Sequence, residues 1–176
     1  MADQLPAVTG LAERWGQSVF HCPYCHGYEL GQGRIGIVAT GAVSAHQAEL
    51  LTEWGEVTLL LNGAFELADD VRHTLEGRGV AIEHTPIDRI EGVADVVLAD
   101  GRVLSFAGLF TAPRCAPSSG VAAAAGCALE DGPMGTQIVT DAENKTSVRG
   151  IFACGDVARA PHSVSLAVGH GAMAGI

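Results

Sequence analysis

His21-Cys22-Pro23-Tyr24-Cys25-His26 places two thiols two residues apart, with an imidazole on each side. A C-x-x-C pair with Pro between the cysteines can close a small reversible disulfide. The first thiol of such a motif often has a depressed pKa, which supplies a thiolate that attacks other disulfides. The flanking histidines would stabilise that thiolate or pass protons near neutral pH. The same six residues also suit part of a metal site. Structural zinc takes four ligands, normally from two knuckles, and the chain has no second knuckle. A redox pair is therefore favoured over zinc, and no metal is expected.

The elements around the pair follow from hydrophobic pattern. Residues 34–40 read as a buried strand that runs through Gly41 into a helix over 45–54, ended by Gly55. Residues 57–61 form a second buried strand. Leu67, Val71 and Leu75 recur every four residues and mark an amphipathic helix before a third strand at 80–82. This β-α-β-α-β order predicts a parallel sheet with right-handed crossovers. Residues 93–98 and 102–106 then read as a hairpin around Asp100-Gly101, followed by a strand at 109–112. The remainder offers an Ala-rich stretch at 121–125, a strand over 148–156 ending in a Gly-Asp turn, and a small-residue helix over 163–174. The predicted class is α/β, a Rossmann-like parallel sheet flanked by helices with a small antiparallel crossover sheet. Residues 1–15 are expected as a linker, 16–112 as a nucleotide-binding domain bearing the C-x-x-C, and 113–176 as a connecting and C-terminal segment.

The turn after the first strand is a second chemical signal. A dinucleotide turn needs G-x-G-x-x-G/A, so that the backbone bends sharply and a pyrophosphate reaches the helix N-terminus. Here the three positions are Ala39, Gly41 and Ser44. The middle Gly survives, and small residues replace the other two. Gly41, Ala42 and Val43 are thus the candidate pyridine-nucleotide contacts. The second strand ends in Asn62-Gly63, with neither an acid for a ribose diol nor an arginine for a 2′-phosphate, so NADPH and NADH both stay open.

Composition narrows the classes. Nearly half the residues are apolar (48%) and 17% are charged, which suits a folded domain and not a disordered chain. The net charge of −10, with no basic stripe, argues against nucleic acid. No apolar run approaches the ~20 residues of a membrane helix, and the N-terminus lacks a signal-peptide pattern. Five cysteines fit a reducing, cytoplasmic setting with one redox pair. Cys115, Cys127 and Cys154 read as small buried hydrophobes, and His46, His73, His84, His162 and His170 carry no ligand spacing.

Two stretches together, W-G-x-S-V-F-H-C-P-Y-C-H-G-Y-E and G-I-F-A-C-G-D-V, resemble the low-molecular-weight thioredoxin reductase family of pyridine nucleotide-disulfide oxidoreductases. The resembling branch includes dithiol oxidases of natural-product pathways. The likeness runs from about Leu5 to the C-terminus. It implies that Cys22 and Cys25 are the redox dithiol and that His26 is the general acid/base beside it. It also implies that Gly155 and Asp156 hold the ribityl and pyrophosphate region of FAD, and that Ser163 and Val164 contact the flavin ring. The implied cofactors are FAD with NADPH or NADH. The implied partner is a small redox protein or a small-molecule dithiol or disulfide, with a homodimer or self-association expected.

The chain departs from that pattern at both ends, stopping at Gly-Ala-Met-Ala-Gly-Ile short of the helix end and tail that the resemblance leads one to expect. The family's N-terminal segment, with the G-x-G-x-x-G that grips the FAD adenosine diphosphate, has no counterpart here, and a fragment or truncated form is the expectation. Three functions follow: a disulfide reductase, a dithiol oxidase that passes electrons to oxygen, and a flavin-free binding or scaffold protein that keeps the fold.

Overall fold

A computed structural model describes residues 1–176. The chain divides into two compact units, Leu5–Ala112 and a second formed by Met1–Gln4 with Pro113–Ile176. The first strand, β1 (Ala2–Gln4), belongs to the second unit. In Leu5–Ala112 the chain runs β2 (Val19–Phe20), α1 (Pro23–His26), β3 (Arg34–Val38), α2 (Val43–Leu51), β4 (Glu56–Leu60), α3 (Asp69–Gly77) and β5 (Ala81–Glu83). It continues through β6 (Ile87–Glu91), β7 (Asp95–Leu98), β8 (Val103–Ser105) and β9 (Gly108–Phe110).

The central sheet of this unit is five-stranded and parallel throughout, in the order β2-β9-β3-β4-β5. Successive side chains on a strand point to opposite faces, and both faces of a parallel sheet are buried. Accordingly Phe20, Ile35, Ile37, Val57, Leu59 and Phe110 share one core with Ala45, Ala48 and Leu51 of α2 and Leu75 of α3. Their neighbours Val19, Val38, Leu60 and Leu109 enter the other core, against Ile90, Val96 and Leu98 of the antiparallel sheet β6-β7-β8. The α/β, Rossmann-like class expected from the sequence is the class observed.

The second unit carries β10 (Arg114–Ala116), α4 (Val121–Ala124), β11 (Leu129–Gly132), β12 (Gly135–Ile138) and α5 (Val164–Ala174). Its sheet is mixed, in the order β1-β10-β12-β11. Cys127, Ile138, Ala153 and Ala158 form its small core. No helix is long and apolar enough to cross a membrane.

Several elements differ from expectation. The helix expected at 45–54 starts two residues earlier and ends at Leu51. The crossover hairpin gains a third strand, β6, whose alternation is hidden by a register shift between Ile87 and Arg89. Residues 1–15 include β1, which the sequence reading did not expect, and a short turn of helix at Ala12–Arg14 where the sequence suggests one. The expected strand over 148–156 does not form. Ile151 N–H instead bonds Val148 C=O in a turn, Thr146 takes up the main-chain N–H and C=O groups around it, and only a single bridge joins Phe152 to Lys145.

Candidate redox site

The C-x-x-C segment leaves the sheet at the end of β2, where Phe20 is buried. Pro23 opens the single turn of α1; its missing N–H is one that a first helical turn leaves unpaired anyway. Cys22 caps that turn through its carbonyl, which accepts from Cys25 N–H at 3.2 Å. Helix α2 holds the segment from below. Gln47 Nε2 donates to His21 C=O at 2.8 Å, and Tyr24 meets the Trp54 ring edge-on at 5.6 Å between centroids. Gly27 ends the turn against the same indole: a Cβ there would sit 2.8 Å from Trp54 and 2.7 Å from Pro23 C=O, so only glycine fits.

Cys22 and Cys25 are free thiols, Cys22 half-buried and Cys25 exposed. The Cys25 thiol is pushed above its ordinary value, first by its hydrogen bond to Cys22, then by burial and by the charges of Cys22 and Glu29. His26 follows on the same turn. Its ring stacks on Phe20 at 4.2 Å and 19°, and its Nδ1 lies 3.1 Å from Glu29 Oε2. No set of three metal-ligating side chains gathers here or elsewhere in the structure.

The turn Gly41–Val43 sits at the carboxyl end of β3, where a parallel sheet receives its ligands. Two threonines pin that edge. Thr111 Oγ1 donates to Val38 C=O at 2.9 Å and Thr40 Oγ1 to Ala112 C=O at 2.8 Å. The buried Ser44 hydroxyl accepts from Thr40 N–H and closes the turn, while Ala42 and Val43 face solvent. Beside them an apolar groove of about 360 Å³ is lined by Ala42, Ala45, Phe65, Leu67 and Val71, with His46, Glu49 and Glu66 also lining it. The nearby Arg78 is already paired with Glu49 at 2.9 Å.

Gly155, Asp156, Ser163 and Val164 belong to the second unit. Gly155 turns with φ +72°, and the Asp156 carboxylate accepts from Ser163 N–H at 3.2 Å, just before α5 begins. Val164 is 82% exposed. Of the other thiols, Cys115 is buried and donates to Asp3 Oδ1 at 3.3 Å; burial, then that bond, pushes it up to about 11. Cys127 is buried, whereas Cys154, expected as buried, is half-exposed. Sequence reading missed Phe20, Glu29, Gln47 and Trp54. A Glu three residues after His26 is the one local signal among them; the others reach the site only through tertiary packing.

Residues 2–171 match the family described as pyridine nucleotide-disulphide oxidoreductase. The chain belongs to the pyridine nucleotide-disulphide oxidoreductase family. It is 32% identical to a thioredoxin reductase, sirT, of Leptosphaeria maculans, over 98% of this chain and 58% of that protein. Among solved structures it is similar to the oxidoreductase from Agrobacterium tumefaciens, with 55% identity and a TM-score of 0.93, covering 99% of this chain and 59% of the other. A thioredoxin reductase TrxB from Bacillus anthracis, described as putative in its own structure report, shares 25% identity with a TM-score of 0.84, over 99% of this chain and 59% of that one. The chain thus spans about three fifths of the length of these relatives.

Proposed function

We propose that this chain is the dithiol-bearing part of a thioredoxin reductase-like disulfide oxidoreductase, with Cys22 and Cys25 as the redox pair and His26 as its proton shuttle. The observation that carries the reading is the pair itself. Two free thiols lie two residues apart at the start of a helical turn, one half-buried and one exposed, with an imidazole fixed on the same turn. One thiol attacks a substrate disulfide and forms a mixed disulfide, expelling a thiolate that takes a proton. The second thiol then attacks that mixed disulfide and releases the other half of the substrate. The pair gives up two electrons, and the substrate leaves as two thiols.

Two cofactor sites fit this reading. Gly41, Ala42 and Val43 lie at the N-terminus of α2, and a Cβ added at Gly41 would meet nothing within 4 Å, which leaves room for a pyrophosphate. Gly155 and Asp156 lie in a tight turn that Asp156 ties to Ser163 N–H just before α5, and with Ser163 and Val164 they are the residues that would hold FAD. When bound, the flavin supplies a two-electron donor or acceptor for the pair, and NADPH or NADH supplies hydride. The partner in this reading is a small redox protein or a small disulfide, in a reducing cytoplasmic setting.

The groove beside the nucleotide turn is mainly apolar, with Glu49 and Glu66 in its lining and the nearby Arg78 spent on Glu49, and this favours a second reading as a dithiol oxidase that uses oxygen. The test supplies FAD and then follows nucleotide and oxygen consumption with a dithiol or a disulfide present. Nucleotide oxidation driven by a disulfide supports the reductase; oxygen uptake driven by a dithiol supports the oxidase. Cys22→Ser and Cys25→Ser each lose disulfide exchange on either reading, and full activity in both variants would refute the dithiol assignment.

A further inference from the structure

We propose that Glu29 is a positioning residue that fixes which ring nitrogen of His26 carries the proton, so that Nε2 is the one offered to the thiols; this rests on the dithiol reading above. Glu29 Oε2 lies 3.1 Å from His26 Nδ1, three residues along the chain. An ionised carboxylate only accepts hydrogen bonds. The proton between the two therefore sits on Nδ1, and neutral His26 keeps its lone pair on Nε2.

The ring plane is held separately, by its stack on Phe20 at 4.2 Å, and Phe20 is itself buried in the core. Plane and tautomer are thus set by two independent contacts. His26 and Glu29 side chains are 39% and 68% exposed, so as a surface ion pair they do little for stability. Selecting between two tautomers requires far less. In the exchange, the attacking thiol gives its proton to Nε2 as the sulfur forms the mixed disulfide. Nε2–H then protonates the thiolate that leaves, and His26 returns to its starting state.

The test uses the full chain with both thiols reduced. Long-range proton–nitrogen spectra of the imidazole rings, at about pH 8.5 where imidazoles are neutral, report the tautomer; His26 is assigned by its loss in His26→Asn. Exchange is timed with dithio-bis(nitrobenzoate), which releases a coloured thiolate. Wild type is expected as the Nδ1–H tautomer. Glu29→Ala moves His26 toward Nε2–H and slows exchange about tenfold, part of the ~10²–10⁴ that general acid–base catalysis supplies. Glu29→Gln, whose amide oxygen still accepts from Nδ1–H, keeps the tautomer and most of the rate.

Persistence of the Nδ1–H tautomer in Glu29→Ala would overturn the proposal. So would an equal loss of rate in Glu29→Ala and Glu29→Gln. Failure of the dithiol reading shows separately, as unimpaired exchange in Cys22→Ser and Cys25→Ser, while the tautomer shift continues to report on Glu29.

Discussion

At the scale of single residues, the two thiols are made unequal by each other. Cys25 is the more exposed residue, yet its thiol is pushed above its ordinary value, first by the Cys22 thiol beside it. A raised value means less thiolate at a given pH, so Cys25 reacts slowly while its neighbour is present. Replacing Cys22 by Ala removes the first cause of the shift. The iodoacetamide reaction of Cys25, followed on its own peptide by mass spectrometry, then moves to lower pH. A pH profile for Cys25 that is the same in wild type and Cys22→Ala would contradict this account. His26 owes its fixed position to neighbours on either side, Phe20 before the motif and Glu29 after it.

At the scale of elements, α1 is a single turn and cannot hold itself; packing on α2 supplies its order. Gly27 sets how closely the two approach. Gly27→Ala forces a methyl group into the Trp54 ring and the Pro23 carbonyl, and is expected to cost about 1–3 kcal/mol and slow disulfide exchange. Urea unfolding and the exchange assay measure the two effects. A second joint is ionic. Arg102, beyond β7, reaches Glu83 of β5 at 2.8 Å, Asp100 at 2.7 Å and Thr85 at 3.0 Å. The arginine bond, followed by bonds from Thr85, overcomes burial and lowers the Glu83 carboxyl from 4.5 to about 2. Asp100 is lowered as well, by bonds from the same arginine.

A folded value below the unfolded one stabilises above the unfolded value and is lost as pH falls through the folded one. Stability should therefore decline between about pH 4.5 and about 2. Arg102 is half-exposed and solvent screens the pair, so the loss is small. Arg102→Ala should lack that step in acid unfolding curves, and an unchanged step would refute the assignment.

At the scale of the whole molecule, the apolar surface is unevenly spread. The unit Leu5–Ala112 buries both faces of its sheet. The second unit leaves Val164, Val168 and Met173 of α5 exposed at 82%, 68% and 61%, with Phe152 also exposed. A helix apolar on all sides is normally a buried one. We expect the chain to associate with itself as its concentration rises, and Val168→Lys with Met173→Lys to weaken that association. Sedimentation velocity decides it, and a monomer at every concentration in wild type would count against the surface argument.

The continuous apolar runs of β3 and β4 and the four-residue spacing before β5 specify the parallel sheet locally, so its class was legible in the chain. The C-x-x-C chemistry was legible too, because it lies within six consecutive residues. The strands of the second unit were not. Leu129–Gly132 has a single large apolar side chain and runs along a sheet edge, so no alternation betrays it. The apolar run at 148–156 suggested a strand that the Thr146 hydroxyl and a turn override. What surrounds the thiols was likewise decided only in three dimensions. Phe20, Gln47 and Trp54 reach the motif from β2, from α2 and from just beyond α2, and no spacing rule in one dimension reports which side chains folding brings into contact. The sequence by itself carried the reactive groups and the sheet beneath them; the tertiary structure chose the neighbours that orient those groups, because non-local packing is a property of the assembled core.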